Sequence, residues 1–268
     1  MGKTLQEQEF QSKKTNLFII LSGIFLTNAI LAEIIGVKIF SGELTLGWEP
    51  AGWTIFGEYV LDFNLTAGAV IWPVVFITTD IINEYYGKKG VRKISFVTAF
   101  FIAYIFFVIA GVTQLPPAPF WLDVNTPDPQ GNPFDIDYAF NVIFRQGLGI
   151  IIGSLVAFLL GQLIDVFVFQ KLRKITGPKM IWLRATGSTL VSQFIDSFVV
   201  LGIAFYIFGN WSWAQVASVG IINYIYKFSV AILLTPLLYL GHYLIDNYLG
   251  KEIADKMTKE ASSDTSFL

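Results

Sequence analysis

Six stretches of this sequence contain no Asp, Glu, Lys or Arg: Leu17 to Ala32, Phe63 to Thr79, Ile94 to Leu122, Gln146 to Ile164, Ser197 to Tyr226 and Phe228 to Ile245. A bilayer core is crossed by about 20 consecutive apolar residues as a helix, because only a helix or a closed barrel pairs all its backbone groups where water is absent. Most of these runs approach that length, so the chain belongs in a membrane. Composition agrees: 54% of the 268 residues are hydrophobic and only 14% are charged, where a soluble domain carries about 25%.

The net charge of -2 provides no basic field for nucleic acid or an anionic surface, and the absence of cysteine excludes disulfides, thiol nucleophiles and thiolate metal sites. Lys13 and Lys14 precede the first run, as in a signal peptide. Leu17 to Val37 is longer than a signal h-region and lacks a small-residue cleavage site, so it reads as a spanning helix.

The loops between runs define an all-α integral membrane protein with six transmembrane helices, at Leu17–Val37, Leu65–Asn83, Ile94–Gln114, Gln146–Phe169, Ala185–Phe208 and Val216–Ile245. Alternate segments hold Lys3, Lys13, Lys14, Lys88, Lys89, Arg92, Lys93, Lys171, Arg173, Lys174, Lys179, Arg184, Lys251, Lys256 and Lys259, fifteen of the eighteen cations. The opposite loops hold Lys38 and Arg145 and collect Glu43, Glu49, Glu58, Asp62, Asp123, Asp128, Asp135 and Asp137. The positive-inside rule therefore places both termini in the cytoplasm. Residues 1–16 form a cytoplasmic segment, 17–249 the transmembrane domain and 250–268 a polar, frayed cytoplasmic tail. Outer loops rich in proline at positions 116, 117, 119, 127, 129 and 133 favour extended or turn backbone, and Trp48, Trp53, Trp121, Trp211 and Trp213 form an interfacial aromatic belt.

A charge near mid-bilayer costs about 2.5–3.5 kcal/mol on insertion scales, so the few ionisable residues inside the spans are candidates for function. In the fifth helix Arg184, Ser188, Ser192 and Asp196 recur every four residues as one polar stripe, with Gln193 on its edge. Asp196 lies about 16 Å deep, at 1.5 Å per residue. Lys227 reaches the same depth from the other side, with Asn223 one turn above it, so Asp196 and Lys227 face a common cavity and can pair. The second helix ends with Asp80, Asn83 and Glu84 on one face; Glu84 suits a solvated helix end and can pair with Lys88, whereas Asp80 follows seventeen uncharged residues.

Gly149, Gly153, Ala157 and Gly161 form a close-packing stripe on the fourth helix, followed by Asp165 near the cytoplasmic boundary, where it can reach water. Asn28 is mid-span in the first helix and can bond a neighbouring helix or a ligand; His242, the only histidine, reads as interfacial. Gln162–Val168 echoes Gln193–Val199 at an offset of 31 residues with five of seven positions identical, on helices running in opposite directions, as in transporter repeats.

No zinc-protease pair of histidines and no Walker-type phosphate loop occurs, and the unequal depths expected of Asp165 and Asp196 disfavour an acid/base dyad. Acids, amides, one lysine and aromatic rings suit a small heteroaromatic solute: a guanine-like edge offers N–H donors to a carboxylate and a carbonyl to an amide or cation, while its face stacks on rings.

The block Thr79-Asp80-Ile81-Ile82-Asn83-Glu84-Tyr85-Tyr86-Gly87-Lys88-Lys89 with Arg92, together with Arg184, Ser188, Ser192-Gln193, Asp196-Ser197, Tyr226-Lys227 and Thr235-Pro236, resembles the queuosine precursor transporter family of vitamin-uptake-like membrane proteins. The resemblance spans about Leu17 to Leu249. It implies uptake of 7-deazaguanine compounds, the cyano or aminomethyl precursors of queuosine, across a bacterial inner membrane, on a fold similar to the substrate-binding subunits of energy-coupling-factor importers. Asp80, Glu84, Arg184, Gln193, Asp196 and Lys227 fall on its polar motif positions.

The resulting expectation is a cavity lined by helices 1, 2, 5 and 6. Asp196 or Asp80 takes the substrate N–H edge, Gln193 and Asn223 bond the remainder, Lys227 keeps the empty cavity near neutrality and Arg184 gates the cytoplasmic mouth. The partners implied are a small deazapurine and the lipid bilayer, with no nucleic acid, no metal and no cofactor; a homo-oligomer stays open. The competing readings are a binding subunit needing a separate ATP-driven partner, and an intramembrane enzyme.

Overall fold

The computed structural model describes residues 5–55, 59–177 and 180–263; Lys3, Glu58 and Lys179 of the charge comparison lie outside the described residues. Helix α1 covers Leu5–Ile35. It begins well before Leu17 because hydropathy marks entry into the bilayer, not the first helical turn: Phe10, Leu17, Leu21, Phe25, Ala29 and Ala32 form one buried stripe.

The segment after α1 folds back on itself. Strand β1 (Ile39–Ser41) leads into a single turn, α2 (Gly42–Thr45), then into a ribbon of β2 (Trp53–Ile55) and β3 (Tyr59–Leu61) and finally β4 (Asn64–Thr66), which returns antiparallel to β1. Glu43 organises this loop. It accepts from the Phe63 amide at 2.7 Å and from the Ser41 hydroxyl at 3.0 Å, and the Phe63 bond holds its carboxyl below the usual glutamate range.

After a 3-10 turn at Ala67–Val70, helix α3 runs over Trp72–Val112, broken at Gly87 with φ 63 and ψ -164. The helix expected from Leu65 starts seven residues later because 64–70 are spent on β4 and this turn. The two arms, 72–86 and 88–112, form a hairpin. Gly68 lies against Ala32 toward one end of α1, while Tyr86 donates to the Lys14 carbonyl at 2.7 Å toward the other. Beyond the second arm the Gln114 amide lies 2.7 Å from the Arg145 guanidinium, and the adjoining Gln146 donates to the Glu33 carbonyl at 2.9 Å, back near the start.

The proline-rich outer segment holds two short helices, α4 (Pro119–Val124) and α5 (Ile136–Phe144). Helix α6 (Leu148–Thr176) then packs along α7 (Ile181–Leu201), which continues as a π turn over Gly202–Ile207. The small-residue stripe is the seam between them: a Cβ on Gly153 would stand 3.1 Å from the Val200 carbonyl.

The last span is not one helix. Helix α8 (Trp213–Leu233), started by a Ser212–Gln215 capping box, gives way at Leu234 to α9 (Thr235–Leu249). Pro236 lacks the N–H that would continue the ladder and its ring crowds the preceding turn. Among the described residues, five helical stretches are long and apolar enough to cross a membrane: Glu7–Ile35, Trp72–Val112, Ile136–Thr176, Ile181–Ile207 and Trp213–Leu233.

The expectation of a frayed tail from Glu252 is corrected. Helix α10 spans Lys251–Ser263, and Ala254, Met257 and Ala261 bury one face. Arg173 donates to the Thr258 carbonyl at 2.7 Å and Lys14 pairs with Glu260 at 2.7 Å, so α10 is fastened beneath the α3 hairpin. Polar composition hid a helix whose apolar residues recur at the spacing of a single face.

Candidate solute-binding cavity

A narrow cavity opens between the first arm of α3, α6 and α7. Its apolar walls are Trp72, Phe76 and Phe158; Trp72 stacks on Phe76 with ring centroids 5.8 Å apart and lies 6.2 Å from Phe158. Its polar wall is made of Thr79 from α3, Gln162 and Asp165 from α6, and Thr189, Ser192, Gln193 and Asp196 from α7. Two amides, two carboxylates and three hydroxyls therefore converge on a space bounded by aromatic faces, the composition that orients a small heteroaromatic molecule.

Asp196 meets Lys227 of α8 in an ion pair, each side chain about one fifth exposed at 21% and 20%. The pair forms because α7 and α8 are packed neighbours joined by a short connection, which brings the two residues side by side. Ser192 donates to Asp165 at 3.3 Å, tying the two polar helices together beneath the cavity. Asp165, expected near water, is buried and lines the cavity with Asp196; it stands level with Ser192, one turn from Asp196, which lies level with Gly161.

Glu84 is also corrected. It is buried rather than a solvated helix end and its partners are arginines: Arg184 donates to it at 2.8 and 3.1 Å, and Arg173 at 3.2 Å to its carboxylate and 3.0 Å to its carbonyl. Arg184, expected at the cytoplasmic mouth, is 1% exposed and also donates to the Gly177 carbonyl at 2.9 Å. This cluster joins α3, α6 and α7 between the cavity and α10.

The remaining predicted residues divide. Ser188 is fully buried and donates to the Ala185 carbonyl of its own helix. Asp80 is buried but faces a neighbouring cavity. Asn223 is half-buried on α8 and lines neither cavity. Asn28 donates to the Ile24 carbonyl of α1 at 2.8 Å. The expected lining by helices 1 and 6 is corrected: no described residue of α1 or α8 lines this cavity, and α6 supplies the wall instead. His242, expected at the interface, sits 3.1 Å from the Tyr85 hydroxyl, which donates to Asp246 at 2.6 Å.

Sequence reasoning missed Gln162, Asp165, Thr79 and Arg173. The signal for the first two was in the echo. Gln162 and Asp165 match Gln193 and Asp196, and all four polar residues of the two copies line the one cavity.

Helices long and apolar enough to span a membrane, packed around a polar cavity, define a multi-pass integral membrane protein. Residues 66–241 match the family described as "Putative vitamin uptake transporter", and the chain belongs to that family. Relatives named "Probable queuosine precursor transporter" come from Bacillus subtilis, 32% identical over 69% of this chain and 76% of the relative, and from Haemophilus influenzae, 30% identical over 65% and 66%. The Escherichia coli relative named "Queuosine precursor transporter" is 29% identical over 74% of this chain and 80% of its own. These names are those of transporters, not enzymes. No solved structure matches.

Proposed function

We propose that this protein imports 7-deazaguanine precursors of queuosine, cyano or aminomethyl, across the bacterial inner membrane. The observation that carries the reading is the donor set between aromatic faces. In it, Asp196 accepts the N–H edge of the base, Gln193 and Gln162 bond its carbonyl and ring nitrogens, and Trp72, Phe76 and Phe158 stack on its plane. Ser192 lines the same wall, and Ser188 supports the stripe from behind. Lys227 neutralises Asp196 while the cavity is empty and releases it as the substrate arrives, so no bare charge is buried.

In the same reading the chain crosses the membrane six times with both ends in the cytoplasm: once as α1, twice as the arms of α3, once each as α6 and α7, and once as α8 with α9. The Glu84–Arg184 cluster then closes the inner side of the cavity and must part for release.

Uptake of labelled 7-cyano-7-deazaguanine by cells lacking their own importer tests this. Cells producing the protein accumulate label, and Asp196→Asn or Gln193→Ala at equal protein level reduces it. Undiminished uptake by both variants removes the cavity from the pathway.

A further inference from the structure

Asp80 and Asp165 are buried carboxyl groups outside both the Asp196–Lys227 pair and the Glu84–arginine cluster. Asp80 is 7% exposed, and its Oδ1 has no hydrogen-bond partner among the described residues. It opens on a second narrow cavity between α3, α7 and the α8–α9 break, walled mostly by Ile77, Ala185, Ala231, Leu234 and Leu238. Asp165 is 6% exposed, and its Oδ2 likewise has no partner. Phe76 and Thr189 line both cavities, so a shared wall separates the two spaces.

The charges around Asp80 do not balance. It lies in electrostatic reach of Asp165 on α6, Glu84 on its own helix and Arg184 on α7. Arg173 on α6 and Arg184 are both bound to Glu84. On α9, His242 faces the Tyr85 hydroxyl and Asp246 accepts from it; Lys227 on α8 is held by Asp196. Among the buried groups of the described residues, Asp80, Asp165 and Glu84 thus confront two arginines, three acids against two cations.

A metal cation would need a shell of about six oxygen ligands. The second cavity offers Asp80 and the hydroxyls of Thr186, Thr189 and Thr235. A proton needs one acceptor oxygen and no shell, and a partnerless carboxyl oxygen supplies it.

We propose that Asp80 and Asp165 share one transported proton, making this a proton-coupled importer. The inference rests on the transport reading above. An O–H bond forms on Asp165 in the solute cavity with a proton taken from outer water. The proton passes to Asp80, and the O–H bond breaks there when the proton leaves to cytoplasmic water. One proton and one solute move inward, and neither carboxyl changes its net state over a cycle.

Two measurements test it, one of them independent of any substrate. Infrared spectroscopy of the purified protein at neutral pH should show the carbonyl band of a protonated buried carboxyl, lost or shifted in Asp80→Asn and in Asp165→Asn and retained in Glu43→Gln. Absence of the band, or its persistence unchanged in both aspartate variants, overturns the proposal. In proteoliposomes, an acid-outside gradient should raise accumulation of 7-cyano-7-deazaguanine severalfold, and a protonophore should abolish the gain. Accumulation indifferent to the pH gradient, or driven by sodium alone, also overturns it. If no deazaguanine moves under any gradient, the transport reading fails, and the infrared band alone decides whether the carboxyl pair holds a proton.

Discussion

Glu84 on α3 and Arg184 on α7, 100 residues apart in the chain, meet through two hydrogen bonds of 2.8 and 3.1 Å with almost no solvent contact. The fork of the guanidinium matches the two carboxylate oxygens, a geometry lysine cannot reproduce. Arg173 shares the same carboxylate, so one acid fastens two helices to the first arm of α3.

Removing that acid should therefore be the most destabilising single change near the cavity. Glu84→Gln leaves two buried guanidiniums facing one neutral amide, and breaking a buried pair costs about 3–5 kcal/mol. Thermal unfolding in detergent should fall accordingly. Arg184→Lys should lose less, because it keeps the charge and forfeits the second bond.

The Asp196–Lys227 pair should behave differently. Its members are less buried than the Glu84 cluster, so Lys227→Ala should cost less stability than Glu84→Gln. Its cost should fall on transport, because Asp196 loses the charged hydrogen bond that steadies it in the empty cavity, worth about 1.5–3 kcal/mol. Uptake measured with the protein level held constant checks this.

Gly87 should tolerate no side chain. Its backbone angles belong to a region essentially restricted to glycine, with a strain of about 1–3 kcal/mol for other residues. An added Cβ would also stand 2.9 Å from the Ala261 carbonyl of α10. Gly87→Ala should loosen the docked C-terminal helix, read as faster amide exchange and earlier proteolytic release over 251–263.

The outer loop should respond to acid. Glu43 is held below the ordinary glutamate value by the Phe63 amide, so its folded pKa is depressed. Its contribution to loop stability is then complete above the unfolded glutamate range, about 4.3, and is lost as pH falls through the lowered value. Fluorescence from Trp48 and Trp53 should hold steady from neutral pH down to that range and change below it. Glu43→Gln should remove the transition.

Sequence made the polar stripe of α7 legible because a four-residue repeat of polar groups in an apolar run has one physical meaning, a shared helix face. Equal depth similarly brought Asp196 and Lys227 together. The rest depended on packing between elements. Glu84 looked solvated because Lys88 lay one turn away, while the arginines that bind it come from α6 and α7. Asp165 looked peripheral because its depth was counted along one helix, whereas α6 extends to Thr176 and buries it. The hydropathy of α10 concealed its buried face, and Pro236 split a run that composition alone made continuous.

The central claim is that a deazaguanine sits between Trp72, Phe76 and Phe158 with its N–H edge on Asp196. Direct binding of 7-cyano-7-deazaguanine to the purified protein in detergent, compared with Asp196→Asn, tests it most directly. Saturable binding to the wild type, at least about tenfold weaker in the variant through loss of a charged acceptor, is the predicted result. No binding to the wild type, or equal affinity in the variant, would contradict it.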